Sequence, residues 1–186
     1  VSLLSRFPDV LLVEKEEEDA EQVAQDISAV MEQALSDFDR MRSREGQKLS
    51  DDILTRADTI ERLVTLVEER SPQTVEEYRA RLEAKMNEVL ANTQLDPARI
   101  LTEAAIFADK VAVDEETVRL RSHIGQLRAM LDQGGATGRK LDFLIQEFNR
   151  EANTIGSKCS DIEIARYVVD IKAEIEKIRE QVQNIE

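Results

Sequence analysis

The stretch "SDIEIARYVVDIKAEIEKIREQVQNIE" (residues 160–186) decides the fold. Ile164, Val168, Ile171, Ile175, Ile178, Val182 and Ile185 step by four and three without a miss. That is the spacing of a helical seam, with a β-branched residue at every seam position. Ser160 and Glu163 have the form of a capping box that starts the helix. A stripe this regular needs other helices along it. The chain is therefore predicted to be all-α, a helical bundle with a long antiparallel hairpin of coiled-coil type.

Working outward, "GRKLDFLIQEFNREANTIGSK" (138–158) repeats the apolar spacing through Leu141, Leu144, Ile145, Phe148, Ala152 and Ile155. "DQGGATG" before it is the most loop-like segment of the chain. "DEETVRLRSHIGQLRAML" predicts a further amphipathic helix through Val118, Leu120, Ile124, Leu127 and Leu131. Asp96 as cap and Pro97 at a first helical position open a helix running to about Val111, apolar around much of its circumference and so expected to be buried. Upstream, "ERSPQTVEEY" reads as a stop and restart at Ser71 and Pro72. "SREGQKLSDD" is a break, or only a weak point in one long helix, at Gly46. Val23, Ile27, Val30, Ala34, Phe38 and Met41 form one more near-heptad face. The count comes to six or seven helices. Residues 1–14 are assigned to an extended arm or the remnant of a preceding domain, 15–95 to a long helical hairpin region, and 96–186 to a C-terminal helical domain.

Composition agrees with helices: 6 Gly and 3 Pro in 186 residues, 4 % aromatics and 34 % charged side chains. The net charge of −14 repels nucleic acid and anionic membranes as a whole. RNA binding would need a local basic patch or bridging cations. Residues 1–69 hold 18 acids against 8 bases, and 138–186 hold 10 against 8, so the C-terminal part is the better place for an anion. The lone Cys159 excludes an intrachain disulfide and a multi-cysteine zinc site. No apolar run approaches a membrane span.

Chemistry gathers on 116–158. His123 is the single histidine, on one helix side with Glu116 and Arg119. It reads as a structural histidine, or as a metal ligand or general base. The second role needs carboxylates from another helix, which Asp142, Glu147 and Glu151 offer. Mg²⁺ or Mn²⁺ would suit such oxygen donors and could bridge an acidic protein to phosphate. Asp142, Gln146, Asn149 and Asn153 form a polar stripe. It suits base edges, RNA backbone or a partner's polar groups, or else an interhelical hydrogen-bond ladder. Phe143 lies almost opposite the apolar face, as a base-stacking platform, an oligomer contact or a residue covered by another domain. Arg139, Lys140, Arg150 and Lys158 could hold phosphates, or pair along the helix with Glu147 and Glu151.

These motifs, with "EIEKIREQVQNIE", "EGQKL", "DEETVRLRSH" and "RFPDVL", resemble the YicC-like family of bacterial proteins, described as metal-dependent endoribonucleases. The resemblance covers essentially the whole chain as the C-terminal two-thirds of such a protein. It implies a missing N-terminal domain with β-structure, a cytoplasmic hexamer, RNA as substrate and Mn²⁺ as the usual ion. Its motif positions here are Glu115, Glu116, Arg119 and His123, then Gly138, Arg139, Asp142, Phe143, Gln146, Glu147, Asn149, Arg150, Glu151, Asn153, Ser157 and Lys158. Ala112 stands where the family often has an acid, and Cys159 where Ser is usual. On this basis the expected function is endoribonucleolytic RNA degradation. His123, Glu147, Glu151 and Asp142 would be catalytic, and His123, Glu147, Glu151 and Glu116 would hold Mn²⁺ or Mg²⁺. Arg139, Lys140, Phe143, Gln146, Asn149, Arg150, Asn153 and Lys158 would contact RNA. The alternatives are a non-catalytic RNA clamp serving a partner ribonuclease, or a structural coiled-coil assembly protein.

Overall fold

The structure is a computed structural model that describes residues 19–89, 97–134 and 138–183. The expectations for 1–14, for Asp96 as a cap and for Ile185 fall outside them. Among the described residues there are five helices and no strand: α1 (Ala20–Val89), α2 (Pro97–Val111), α3 (Asp114–Gln133), α4 (Gly138–Lys158) and α5 (Ile162–Val182). The protein is all-α.

The contacts divide the chain into one unit up to Arg44 and a second from Glu45 onward. In the first, Asp19 caps α1, its carboxylate accepting from the Glu21 and Gln22 amides. The predicted face here is helical but solvent-exposed: Val30 is 69 %, Met41 58 % and Phe38 49 % accessible. Gly46 interrupts nothing, because α1 continues through it.

In the second unit, α4 packs against α3 and α5. Ile53, Ala57, Ile60, Val64 and Val67 of α1 close the core over them. Every described seam residue of α5 and the whole predicted apolar face of α4 are buried, with Phe148 fully so. Gly156 marks a close approach of α4 to α5, where a Cβ would lie 3.1 Å from Val168 Cγ1. Charged pairs frame the core. Arg121 reaches Glu61 and Glu68, Arg128 reaches Asp58 and Glu61, Arg56 reaches Glu174, and Arg70 reaches Asp161. In each series the α1 number rises as the partner's falls, so α1 runs antiparallel to both α3 and α5.

Four expectations need correction. Residues 20–89 are one helix, not a hairpin with a restart at Ser71 and Pro72. Pro72 forfeits the bond to the carbonyl four residues back. The segment is held across that gap by Arg70, which bonds Glu77 one turn beyond the proline and Asp161 of α5. The α5 cap is Asp161, not Ser160: its carboxylate accepts from the Glu163 and Ile164 amides. Helix α2 is not buried all round. Ile100, Ala104 and Val111 are covered, but Leu101 and Ile106 are 56 % and 59 % exposed. Its Phe107 stacks on Tyr78 of α1, centroids 3.8 Å apart. Val118 of α3, expected on the apolar face, is 65 % exposed.

Candidate functional site

Helix α4 organises the site because its buried face splits its polar surface into two flanks and an outer ridge. At about 100° per residue, Glu147 and Glu151 fall on one side of the apolar face. Asp142, Gln146, Asn149 and Asn153 fall on the other. Phe143, Arg139 and Arg150 point outward between them, and Phe143 is 69 % exposed.

The first flank meets α3. One ligand atom each from His123, Glu147 and Glu151 lie within 4.8 Å of one another. Two of these residues hold buried atoms with no hydrogen-bond partner, His123 Nδ1 and Glu151 Oε2. Burying a polar atom without a partner is costly, and a carboxylate oxygen more so. Glu151 is held there by its neighbours on α4, Ala152 and the fully buried Phe148, and the His123 ring lies 6.2 Å from that phenyl ring. Its nearest cation is Arg119, 3.5 Å from Oε2 and also paired with Glu115. Glu147 pairs loosely with exposed Arg150, at 3.6 Å. An imidazole nitrogen and two carboxylates brought this close are a donor set that fits a divalent cation.

The same seam continues toward the end of α4, where Lys158 Nζ donates to Glu116 Oε1 at 2.9 Å and to the Ala112 carbonyl at 3.0 Å. Glu116, expected among the ligands, is therefore outside the His123 group and neutralised by Lys158. Lys158, expected to contact phosphate, is occupied by that pair. Asp142, expected to be catalytic, lies on the opposite flank. Nearby, burial pushes the Cys159 thiol up, and the thiol donates to the Gly156 carbonyl.

The second flank faces α5. Asp142, Gln146, Asn149 and Asn153 line an open depression of ≈ 620 Å³ with Arg150, Arg179 and Gln183 on its other margins. The interhelical ladder considered for this stripe does not form. Among the described residues its one hydrogen bond runs from Asn149 Nδ2 to the Ile145 carbonyl of its own helix. Arg139 and Lys140 are exposed. The contribution of Arg179 and Gln183 was not read from the sequence, since nothing in α5's own spacing says that its end crosses the stripe of α4.

Residues 67–186, which carry both flanks, match the family model described as endoribonuclease YicC-like, C-terminal. The chain belongs to the YicC-like endoribonuclease family. The YicC-like N-terminal region model matches residues 1–51, so part of what that model describes is present. A relative in Clostridioides difficile (strain 630), named probable endoribonuclease YicC, is 46 % identical over 98 % of this chain and 63 % of its own length. One of the same name in Haemophilus influenzae is 40 % identical over 97 % of the chain and 62 % of its own length. The chain thus spans about three fifths of these YicC relatives. No described helix is long and apolar enough to cross a membrane.

Proposed function

We propose that the chain carries the catalytic centre of a metal-dependent endoribonuclease, at the α3/α4 seam. The observation that supports it best is the His123, Glu147 and Glu151 cluster, in which His123 Nδ1 and Glu151 Oε2 are buried without a hydrogen bond, the latter with only the Arg119 guanidinium at 3.5 Å. These three residues would hold Mn²⁺ or Mg²⁺. Such an ion supplies Lewis-acid charge for a phosphodiester and an acidified water. The chain's own residues do the rest. Arg119, 3.5 Å from Glu151 Oε2, helps to orient that carboxylate. Phe148 lies beside the imidazole, its ring centroid 6.2 Å away. Arg139 and Arg150, exposed on the outer ridge, meet the RNA backbone in a molecule whose overall charge opposes it. Phe143 beside them offers a ring face to a base. The resemblance's oligomer belongs to the same proposal, and the exposed stripe at Val23, Ile27, Val30, Phe38 and Met41 is the apolar surface an assembly would cover.

Cleavage of a labelled RNA with Mn²⁺ tests the reading. His123→Ala and Glu151→Gln are expected to slow it by about a hundredfold or more, the upper range for loss of a metal-site residue. Undiminished cutting by both variants removes the cluster from the chemistry. The clamp alternative predicts RNA retained in EDTA and no cutting by any form of the protein.

A further inference from the structure

The depression on the α5 flank of α4 has no role in the cutting chemistry above. We propose that it is a subsite for one unstacked nucleotide of single-stranded RNA, taking a base with an exocyclic amino group in preference to uracil. RNA as the ligand class rests on the proposed function; the place and the preference rest on the groove itself.

Its ≈ 620 Å³ falls within the span of small-ligand clefts, about 300–1,000 Å³. Its wall is a line of amides with unspent capacity. Gln146 and Asn153 make no hydrogen bond among the described residues, and Asn149 spends only one donor, on the Ile145 carbonyl. Each amide offers a donor pair and an acceptor, the arrangement that reads base edges. Single-stranded RNA exposes those edges, whereas a helix hides them. Ile145, almost wholly buried, is the one aliphatic side chain among the described residues of the groove's lining. Arg150 and Arg179 stand at the margins, where a nucleotide's phosphates would lie.

Asp142 sets the preference. As a carboxylate it only accepts hydrogen bonds. Adenine, cytosine and guanine each bring an exocyclic amino donor. Uracil has carbonyl oxygen O4 at the position of the cytosine amino group, which the carboxylate repels, and keeps only its ring N3–H as a donor. The stripe lies about 150° around α4 from Glu147 and Glu151. The nucleotide held here is therefore displaced from the one being cut.

Fluorescence anisotropy with labelled hexa-adenylate, hexacytidylate and hexauridylate, in EDTA and low salt, tests the proposal on the full chain. Hexa-adenylate and hexacytidylate are expected to bind about three- to tenfold more tightly than hexauridylate, the range of one or two hydrogen bonds. Asp142→Asn should close that gap. Gln146→Ala and Asn153→Ala, both at exposed positions that the fold does not need, should each weaken hexa-adenylate by a similar factor. Equal affinity of the wild type for all three oligomers overturns the proposal. So do amide variants that bind like wild type, and if their solution mass changes the groove belongs to a second copy of the chain. Base preference that disappears in Asp142→Asn, in a protein that cuts no RNA, would uphold the groove and sink the nuclease reading alone.

Discussion

At the scale of single residues, Glu151 carries most of the account. It is 2 % exposed between the buried Phe148 and Ala152, and its Oε2 has only Arg119 at 3.5 Å. Glu151→Gln should therefore leave the metal-free protein at least as stable as wild type, since an under-compensated buried charge is removed. It should also abolish stabilisation by Mn²⁺. Wild type at saturating Mn²⁺ should gain on the order of 2–3 kcal/mol, the linkage expected at a hundred times the dissociation constant. Thermal melts with and without the ion check both. The residue types of this centre were readable in the sequence because one histidine and a few acids shared helix faces. Which acids it meets was not. Asp142, Glu116, Glu147 and Glu151 were equally eligible until the register of α3 against α4 was known, and that register is set by packing.

At the scale of elements, the helices of the second unit follow from spacing alone. The 4–3 steps of α5 and the face of α4 translate directly into buried residues. The start of α5 depends on charge as well. Arg70, with help from the cap amides and against the opposing effect of desolvation, holds the Asp161 carboxyl below its ordinary 3.8. Arg121 does the same for Glu68, and Lys177 with Arg56 for Glu174, below 4.5. Depressed carboxyls contribute stability that is complete above their ordinary values and is lost as pH falls through the folded ones. Stability should therefore fall as pH drops below about 4.5. Asp161→Asn, which keeps an N-cap acceptor, should flatten that loss between about pH 4 and pH 3. Asp161→Ala should cost about 1 kcal/mol more at neutral pH through the missing cap. Urea unfolding across this pH range reads both. Local signals failed where long-range ties overrode them. Pro72 looked like a terminus, and Arg70, bonded to Glu77 beyond the gap and to Asp161 of α5, carries the helix through.

At the scale of the whole molecule, an exposed heptad face on α1 and a half-exposed α2 are the features spacing could not interpret, because periodicity gives a face but not what covers it. In the proposed assembly the face at Val30 and Phe38 is covered by another chain. Light scattering should then give a mass above one chain, falling in a Val30→Glu, Phe38→Glu double variant. A single-chain mass for wild type would leave that face without its proposed partner. Acidity weighs on the molecule as a whole too: under the proposed function a chain of net charge −14 would approach RNA through the exposed Arg139 and Arg150 of α4 and through a bound cation.

The most direct measurement is a titration of the chain with Mn²⁺ followed by the loss of the free-ion electron paramagnetic resonance signal. One saturable site is expected, absent in His123→Ala and Glu151→Gln and retained in Asp142→Asn and Glu116→Gln. Binding that persists when His123 and Glu151 are gone, or that vanishes with Asp142, would contradict a cation site at the α3/α4 seam.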